Sequence, residues 1–266
     1  MGLVAALQPL GDDYVDFCEG VNRLVGIDLL QYKRGQMERR LRSFAERRGI
    51  ARLGDYLALL RSDTDELERF LDRVTINVSQ LWRNPEQWTV LGRSVVPELA
   101  ARGRIRIWSA GCSYGAECYT IAAVCLEHAP GARVEVLGTD VDQRMIDRAR
   151  TGAFSLDDAR TVPPASLDRW FERTADGWQA GPELAKTVTF ERGDLLTMRF
   201  PAGAYDLVLC RNVVIYFTED VRDALHARLA TSLRSGGYLV VGSTERVASV
   251  GDIGLDLAYP FTYRKA

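Results

Sequence analysis

The sequence predicts a small all-helical region followed by an α/β domain built on a parallel sheet. Three observations carry this. Up to about residue 80, apolar residues recur only at spacings of three and four, and no alternating run breaks the pattern. From Arg104 onward, short apolar stretches alternate with amphipathic ones of helical length, as strands joined by crossover helices do. One stretch, 160–186, interrupts that alternation with Pro163-Pro164, three aromatic residues and an Asp-Gly pair.

The helical elements follow in order. Asp13 to Val25 aligns Tyr14, Phe17, Val21 and Leu24, and Lys33 to Arg48 aligns Met37, Leu41, Phe44 and Ala45. Asp55 to Arg61 is a short helix. Thr64 to Val74 aligns Leu67, Phe70, Leu71 and Val74, with acids in the first turn where the helix dipole favours them. Asn84-Pro85-Glu86-Gln87 reads as a helix start, with Asn as N-cap and Pro in the first turn, and that helix runs to about Ala101.

The α/β part begins with a strand at Arg104–Ser109, a glycine-containing turn and a helix from Glu117 to His128. Val134–Gly138 is the second strand, leading to Asp140, and Asp142–Thr151 the next helix. Strands follow at Thr187–Glu191 and Tyr205–Cys210, then a helix at Val221–Leu233 ended by Gly236-Gly237, a strand at Tyr238–Gly242 and a last aromatic strand at Ala258–Arg264. Within 160–186, Asp176-Gly177 between aromatic runs signals a hairpin, so a small antiparallel insert is expected there.

Composition narrows the function. At 266 residues the chain is one large domain or two modest ones, taking roughly 150 residues per domain. With 34 basic and 36 acidic residues its net charge is −2, which argues against a nucleic-acid partner. Two His exclude a multi-His metal site, no metal is expected, and His128 and His226 read as structural. Five Cys without a Cys-x-x-Cys pair point to a reducing, cytoplasmic setting, and Cys118 and Cys125 are expected to pack rather than react. No apolar run reaches the ~18 residues of a membrane span, and Met1–Ala6 lacks the pattern of a secretory leader.

The most informative stretch is Ile105 to Glu117, a strand, a Gly111-x-x-x-Gly115 turn and a helix start. Such a turn lets backbone approach a ligand and points helix N–H groups at it. The spacing is not that of a dinucleotide fingerprint, and no P-loop is present. Asp140, at the end of the next strand and 25 residues beyond Gly115, is placed to accept hydrogen bonds from ribose hydroxyls. Asp194-Leu195, after the third strand, offers an acceptor to an adenine amine. Three strand ends would then meet one nucleoside; the alternative is that both acids merely cap turns.

Four segments go further. Ser79-Gln80-Leu81-Trp82-Arg83, Trp108-Ser109-Ala110-Gly111-Cys112-Ser113, Gly138-Thr139-Asp140-Val141-Asp142 and Cys210-Arg211-Asn212-Val213-Val214-Ile215-Tyr216-Phe217 resemble the CheR family of chemotaxis receptor glutamate methyltransferases. The resemblance runs from the basic N-terminal helix to the last strand. It implies an all-α receptor-recognition domain at 1–76 and a linker at 77–93 that enters the cofactor site. A Rossmann-like S-adenosylmethionine domain would follow at 94–266, with 160–186 as its β-subdomain.

By the same resemblance, Asn77, Ser79 and Arg83 match a cofactor-binding segment, and Glu117 matches an acid of the glycine turn. Asp140 matches the ribose-binding Asp, Asp194 and Leu195 an Asn-Leu pair at the adenine, Arg211 and Asn212 the pair near the methionine end, and Tyr216 a Tyr close to the transferable methyl. The chain departs from the pattern with Ser79 for Thr, Leu81-Trp82 for Phe-Phe, Ala116 for an acid, Cys118 for Pro and Asp194 for Asn.

The implied reaction esterifies receptor glutamates and yields S-adenosylhomocysteine. A glutamate with a pKa of about 4.3 is already ionised at neutral pH, so no general base is needed. Arg83 is the residue best suited to orient that carboxylate, since guanidinium matches its fork, and Tyr216 would bond it or wall the methyl path. The expected partner is the cytoplasmic coiled coil of a chemoreceptor, met by a monomer. Eight basic and two acidic residues between Lys33 and Arg52 put Arg39, Arg40, Arg42 and Arg47 off the apolar stripe, where they would meet that acidic coiled coil. A methyltransferase with another acceptor, or a cofactor-binding regulatory module without receptor methylation, are the alternative readings.

Overall fold

A computed structural model describes residues 12–75 and 77–266. Met1–Ala6, on which the expectation of no leader rests, lies outside them. The described residues divide into two compact units, one of residues 12–75 with Tyr216–Thr218, the other of Asn77–Ile215 with Glu219–Ala266.

The first unit holds α1 (Asp13–Val25), α2 (Arg34–Glu46), α3 (Leu53–Ser62) and α4 (Thr64–Val74). Asp12 caps α1 by accepting the Tyr14 N–H at 3.2 Å, and Gly26 ends it in the left-handed region at φ 77°. Met37, Leu41, Phe44 and Ala45 are buried on α2, as their spacing predicts. Phe70 sits edge-on to Phe17, Phe44 and Tyr56, closing an aromatic core.

Asp65 and Glu66 stand in the first turn of α4, as expected, but Glu66 also turns inward. It is buried on the inner face of α4, where Tyr56 Oη donates to it at 2.9 Å, Arg69 Nε at 3.0 Å and Arg48 Nε at 2.8 Å. Burial pushes its pKa up, but these donors outweigh that and hold it at about 2.

The segment Tyr216–Thr218 also belongs to this unit, which no strand signal announced. Tyr32 and Phe217 form an antiparallel bridge, flanked by Lys33 N–H donating to the Tyr216 carbonyl at 2.9 Å and Thr218 N–H to the Gln31 carbonyl at 3.0 Å. The Tyr32 and Phe217 rings meet edge-on at 5.0 Å.

In the second unit, α5 (Pro85–Val90), a π-helical stretch (Leu91–Val95) and α6 (Val96–Ala100) make one helical run. Asn84 is not a side-chain cap as expected: it lies in the left-handed region, φ 59°, and its side chain accepts from Arg211 instead. There follow β1 (Arg104–Ala110), α7 (Ala116–His128), β2 (Arg133–Asp140), α8 (Gln143–Thr151), β3 (Ala153–Ser155), α9 (Pro164–Trp170), β4 (Phe171–Arg173), β5 (Gly177–Ala180), α10 (Pro182–Ala185), β6 (Val188–Arg192) and β7 (Tyr205–Cys210). The unit ends with α11 (Glu219–Ser232), β8 (Leu233–Val241), β9 (Leu255–Tyr259) and β10 (Thr262–Lys265).

The main sheet has seven strands in the order β6-β2-β1-β7-β8-β10-β9. The first five are parallel, and β10 and β9 add an antiparallel edge. The single last strand expected at Ala258–Arg264 is therefore a hairpin turned at Pro260-Phe261. Gly236-Gly237 do not end α11 but lie inside β8, in an irregularity where pairing with β7 jumps from Leu233 to Tyr238. The small sheet, β3-β5-β4, contains the expected hairpin at 171–180 and recruits β3 from upstream of 160–186. β3 can lie so close because position 177 is Gly: a Cβ there would sit 2.0 Å from the Phe154 carbonyl oxygen.

Cys118 and Cys125 are fully buried and unbonded, in keeping with packing. Among the described residues no helix is long and apolar enough to cross a membrane. His226, 1% exposed on α11, has neither ring nitrogen hydrogen-bonded, and burial lowers its pKa to about 4.

Two acid-stability predictions follow, with opposite chemistry and the same direction. His226 titrates at about 4 in the fold against 6.5 outside it, so stability present above pH 6.5 is lost as pH falls towards 4. His226→Leu should flatten that slope in denaturant titrations across this range. Glu66, lowered from 4.5 to about 2, stabilises the first unit above pH 4.5 and ceases to do so as pH falls through 2. Glu66→Ala should cost about 1–3 kcal/mol at pH 7, since it removes the charged acceptor of Tyr56, Arg48 and Arg69, and less as pH falls through 2, where the wild-type carboxylate is itself protonated.

Candidate active site

The order of the main sheet sets the place. From β1 the chain winds outward through β2 to β6 on one side and through β7 to β8 on the other, so the topological switch lies between β1 and β7. Parallel sheets bind ligands at the carboxyl ends of their strands beside such a point. The carboxyl end of β1 is Ala110-Gly111, that of β2 Asp140 and that of β7 Cys210-Arg211.

The glycine turn is built for close approach. Gly111 has φ 82°, and a Cβ there would lie 2.5 Å from Val213 Cγ2, so only glycine lets the turns after β1 and β7 meet. The Gly111 and Cys112 N–H groups both donate to the Thr139 carbonyl, at 2.8 and 2.9 Å, anchoring the turn to β2. Gly115, at φ 85°, starts α7.

Asp140 lies beneath this turn, with 9% of its surface exposed. Ser113 N–H donates to one carboxylate oxygen at 2.8 Å and Asp142 N–H to the other at 3.0 Å. Burial raises its pKa, and these backbone donors act against the rise. Each oxygen keeps a lone pair, so the carboxylate is oriented without being used up. Asn77 joins this end: its Nδ2 donates to Asp142 at 3.2 Å and its Oδ1 accepts from the Ser113 hydroxyl at 3.3 Å.

Across the switch point, the Arg211 side chain is 2% exposed. It pairs with Glu117 at 3.0 Å, donates through Nε and Nη2 to Gln87 Oε1 at 3.0 and 2.7 Å, and reaches the Arg83 carbonyl at 2.7 Å and Asn84 Oδ1 at 3.2 Å. Its guanidinium also lies over the Trp88 ring, 4.7 Å from the centroid. Glu117 accepts from the Ser109 hydroxyl at 2.8 Å as well. Gln87 completes the group by donating to the Val241 carbonyl at 3.0 Å. Next to Arg211, Asn212 stands in the left-handed region at φ 60°.

The segment before α5 is tied down at several points. Leu81 N–H donates to the Asp158 carbonyl at 3.0 Å, Trp82 N–H to Thr120 Oγ1 at 3.1 Å, and Tyr114 Oη to the Ser79 carbonyl. Leu81 and Trp82, departures from Phe-Phe, are both buried. Among the described residues the Ser79 hydroxyl has no hydrogen-bond partner. The Arg83 guanidinium has one, the Val78 carbonyl at 2.9 Å, and no carboxylate.

The remaining sequence candidates are placed differently. Asp194 directs its oxygens into its own turn, accepting the Leu196 N–H at 2.8 Å and the Thr197 hydroxyl at 3.2 Å; Leu195 beside it is buried. Tyr216 clusters with the first unit. On α2, Arg42 is held by Asp13 and Glu38, and half-buried Arg40 donates to the Arg73 carbonyl, whereas Arg39 and Arg47 are exposed. Gln87 and Glu245 were not foreseen: Gln87 read only as a helix-start residue, and Glu245 lies in no motif.

The left-handed glycine turn, the buried acid at the end of β2 and the start of α7 fit a nucleoside-bearing ligand. Residues 12–75 match the CheR methyltransferase all-alpha domain and residues 77–253 the CheR methyltransferase SAM binding domain. Over 262 residues the chain is 36% identical to a chemotaxis protein methyltransferase of Listeria innocua, spanning 97% of this chain and 99% of that one. It is 30% identical over 254 residues to one of Borreliella burgdorferi, spanning 90% and 89%, and 31% identical over 252 residues to one of Pseudomonas aeruginosa, spanning 90% and 92%. The chain belongs to the CheR methyltransferase family and is a methyltransferase that depends on S-adenosylmethionine.

Proposed function

We propose that this methyltransferase esterifies glutamate side chains in the cytoplasmic coiled coil of chemoreceptors. The observation that carries the reading is Arg83: a guanidinium in the segment leading into the strand-end site, with no carboxylate partner among the described residues. A structural arginine would be paired; one kept open suits an incoming carboxylate.

Bound S-adenosylmethionine supplies a methyl group on a cationic sulfur, which needs no further activation. The chain's residues then have three tasks. Asp140 accepts the ribose hydroxyls on the lone pairs left by its two backbone donors, and Asn77, Ser79 and Gly111 line the same end. Arg211, Asn212 and Glu117 shape the methionine end, with Arg211 fixed by five described hydrogen bonds from its guanidinium. Arg83 orients the acceptor carboxylate and keeps it ionised, so no residue has to remove a proton. Asp194 and Leu195 keep the adenine assignment implied by the resemblance, with the Asp194 side chain already committed to its turn. Positioning of this kind can lower a barrier by about 7–11 kcal/mol.

On the helical unit, Arg39 and Arg47 are the exposed cations best placed to meet an acidic coiled coil, while Arg40 and Arg42 support α2. The relatives' names, chemotaxis protein methyltransferases, accord with such a substrate.

Receptor fragments incubated with the enzyme and labelled S-adenosylmethionine should acquire methyl groups released by mild base; base-stable product would refute the ester. Cofactor binding without transfer would support the regulatory-module reading. Arg83→Ala should lower kcat more than it raises the cofactor's Kd. Asp140→Asn should weaken cofactor binding about 10- to 100-fold, the worth of hydrogen bonds to a charged acceptor. Because burial raises the Asp140 pKa, wild-type affinity should begin to fall with acidification above 3.8, the ordinary Asp value. Arg39→Glu with Arg47→Glu should raise the receptor's KM several-fold at low salt and leave cofactor affinity unchanged.

A further inference from the structure

Glu245 is a buried carboxylate of the second unit that the reading above does not use. It follows β8 in Gly242-Ser243-Thr244-Glu245 and is 4% exposed. Its Oε2 accepts two backbone N–H groups, that of Gly242 at 2.6 Å and that of Asn212 at 2.8 Å. Its own N–H donates to the Gly242 carbonyl at 2.9 Å, which folds the loop so that the side chain points back at the strand end. No cation pairs with it among the described residues, and Oε1 has no hydrogen-bond partner.

A buried carboxylate with one bare oxygen is a poor stabiliser, because desolvation of the charge offsets what its hydrogen bonds return. Groups held at such a cost are found where geometry matters. Here the geometry is that of Asn212. A non-glycine residue at φ 60° is uncommon, and the Asn212 N–H is the group that Glu245 holds. The fit is close on the other side too. A Cβ at Gly242 would lie 2.5 Å from Glu245 Oε2, 2.8 Å from Asn212 Nδ2 and 2.9 Å from Asn212 N, so glycine alone lets the two strand ends share one carboxylate oxygen.

We propose that Glu245 is a positioning residue: through Oε2 it clamps the Asn212 N–H to the end of β8 and so fixes the Arg211–Asn212 turn in the arrangement that receives the methionine end of the cofactor. The clamp rests on the placement of Arg211 and Asn212 given under Proposed function. It works beside Gln87, which bridges the same strand ends from the Val241 carbonyl to the Arg211 guanidinium. One side chain sets the backbone of the turn and the other its cationic neighbour.

The test uses the full chain, with S-adenosylhomocysteine binding followed by calorimetry and methyl transfer by kinetics. Glu245→Ala should weaken binding about tenfold or more and raise the cofactor's KM more than it lowers kcat, in keeping with the loss of hydrogen bonds to a charged acceptor. Glu245→Gln keeps an oxygen of the same shape for both N–H groups and should bring affinity back to within about threefold of wild type, because the geometry of the turn is kept even though each bond to a neutral acceptor is weaker. Gly242→Ala should reproduce the loss without removing any charge, and it decides the matter if Glu245→Ala does not fold. A folded Glu245→Ala or Gly242→Ala protein with wild-type affinity overturns the clamp, as does a Glu245→Gln protein no better than Glu245→Ala. Asp140→Asn is the control: if it too leaves binding intact, the strand-end site itself is misplaced, whereas loss in Asp140→Asn with none in the Glu245 and Gly242 variants removes the clamp alone.

Discussion

The second unit turns on one buried guanidinium. Arg211 stands at the carboxyl end of β7 and joins Glu117 of α7, Gln87 of α5 and the backbone at Arg83, while its face covers Trp88. A group with five fixed donors is suited to this, since each bond has its own direction. The charge is tolerated because Glu117 answers it and carbonyl and amide oxygens take the rest; removing the partner of such a pair commonly costs about 3–5 kcal/mol. The helix after the linker, the glycine turn and the turn after β7 are thereby held as one piece. The proposed cofactor site is consequently a frame rather than a set of separate loops.

Much of this frame could be read in the sequence, and the physical reasons are plain. Strand–turn–helix punctuation around Gly111 and Asp140 is local chemistry, carried by glycine backbone freedom and the two-residue period of a strand. The heptad-like spacings of α1, α2 and α4 are equally local. What stayed hidden was long-range. Asn84 has the composition of an N-cap, but its side chain is drawn to Arg211, 127 residues away. Glu66 has the position of a dipole-favoured acid, yet it turns inward because Tyr56, Arg48 and Arg69 converge on it. Glu245 lies in no motif, and the partner that gives it a task, Asn212, is 33 residues away and reaches it only through the sheet. The hairpin of β9 and β10 escaped notice because Pro260-Phe261 lacks the Asn-Gly or Asp-Gly signature of a tight turn.

The two acids expected at the nucleoside show why position alone does not settle a role. Asp140 ends β2 and Asp194 follows β6. Asp140 has a turn folded over it, with each oxygen given one backbone donor and left with capacity to accept more. Asp194 folds its own turn, with both oxygens occupied within four residues. The difference lies in which backbone N–H groups reach each carboxylate, something set by the strand neighbours: β1 lies beside β2, and among the described residues no strand lies beyond β6.

The bridge between Tyr32 and Phe217 bears on how the chain can be dissected. Family boundaries suggest a cut after residue 75. The helical unit, however, includes three residues that arrive from far down the chain, and they supply both the ring against Tyr32 and the carbonyl that receives the Lys33 N–H. A fragment ending at residue 75 would leave Tyr32 without its aromatic neighbour, and the complementary fragment would carry Phe217 with its pairing strand removed. Cutting the polypeptide once does not separate two self-sufficient pieces, because one of them is discontinuous in sequence.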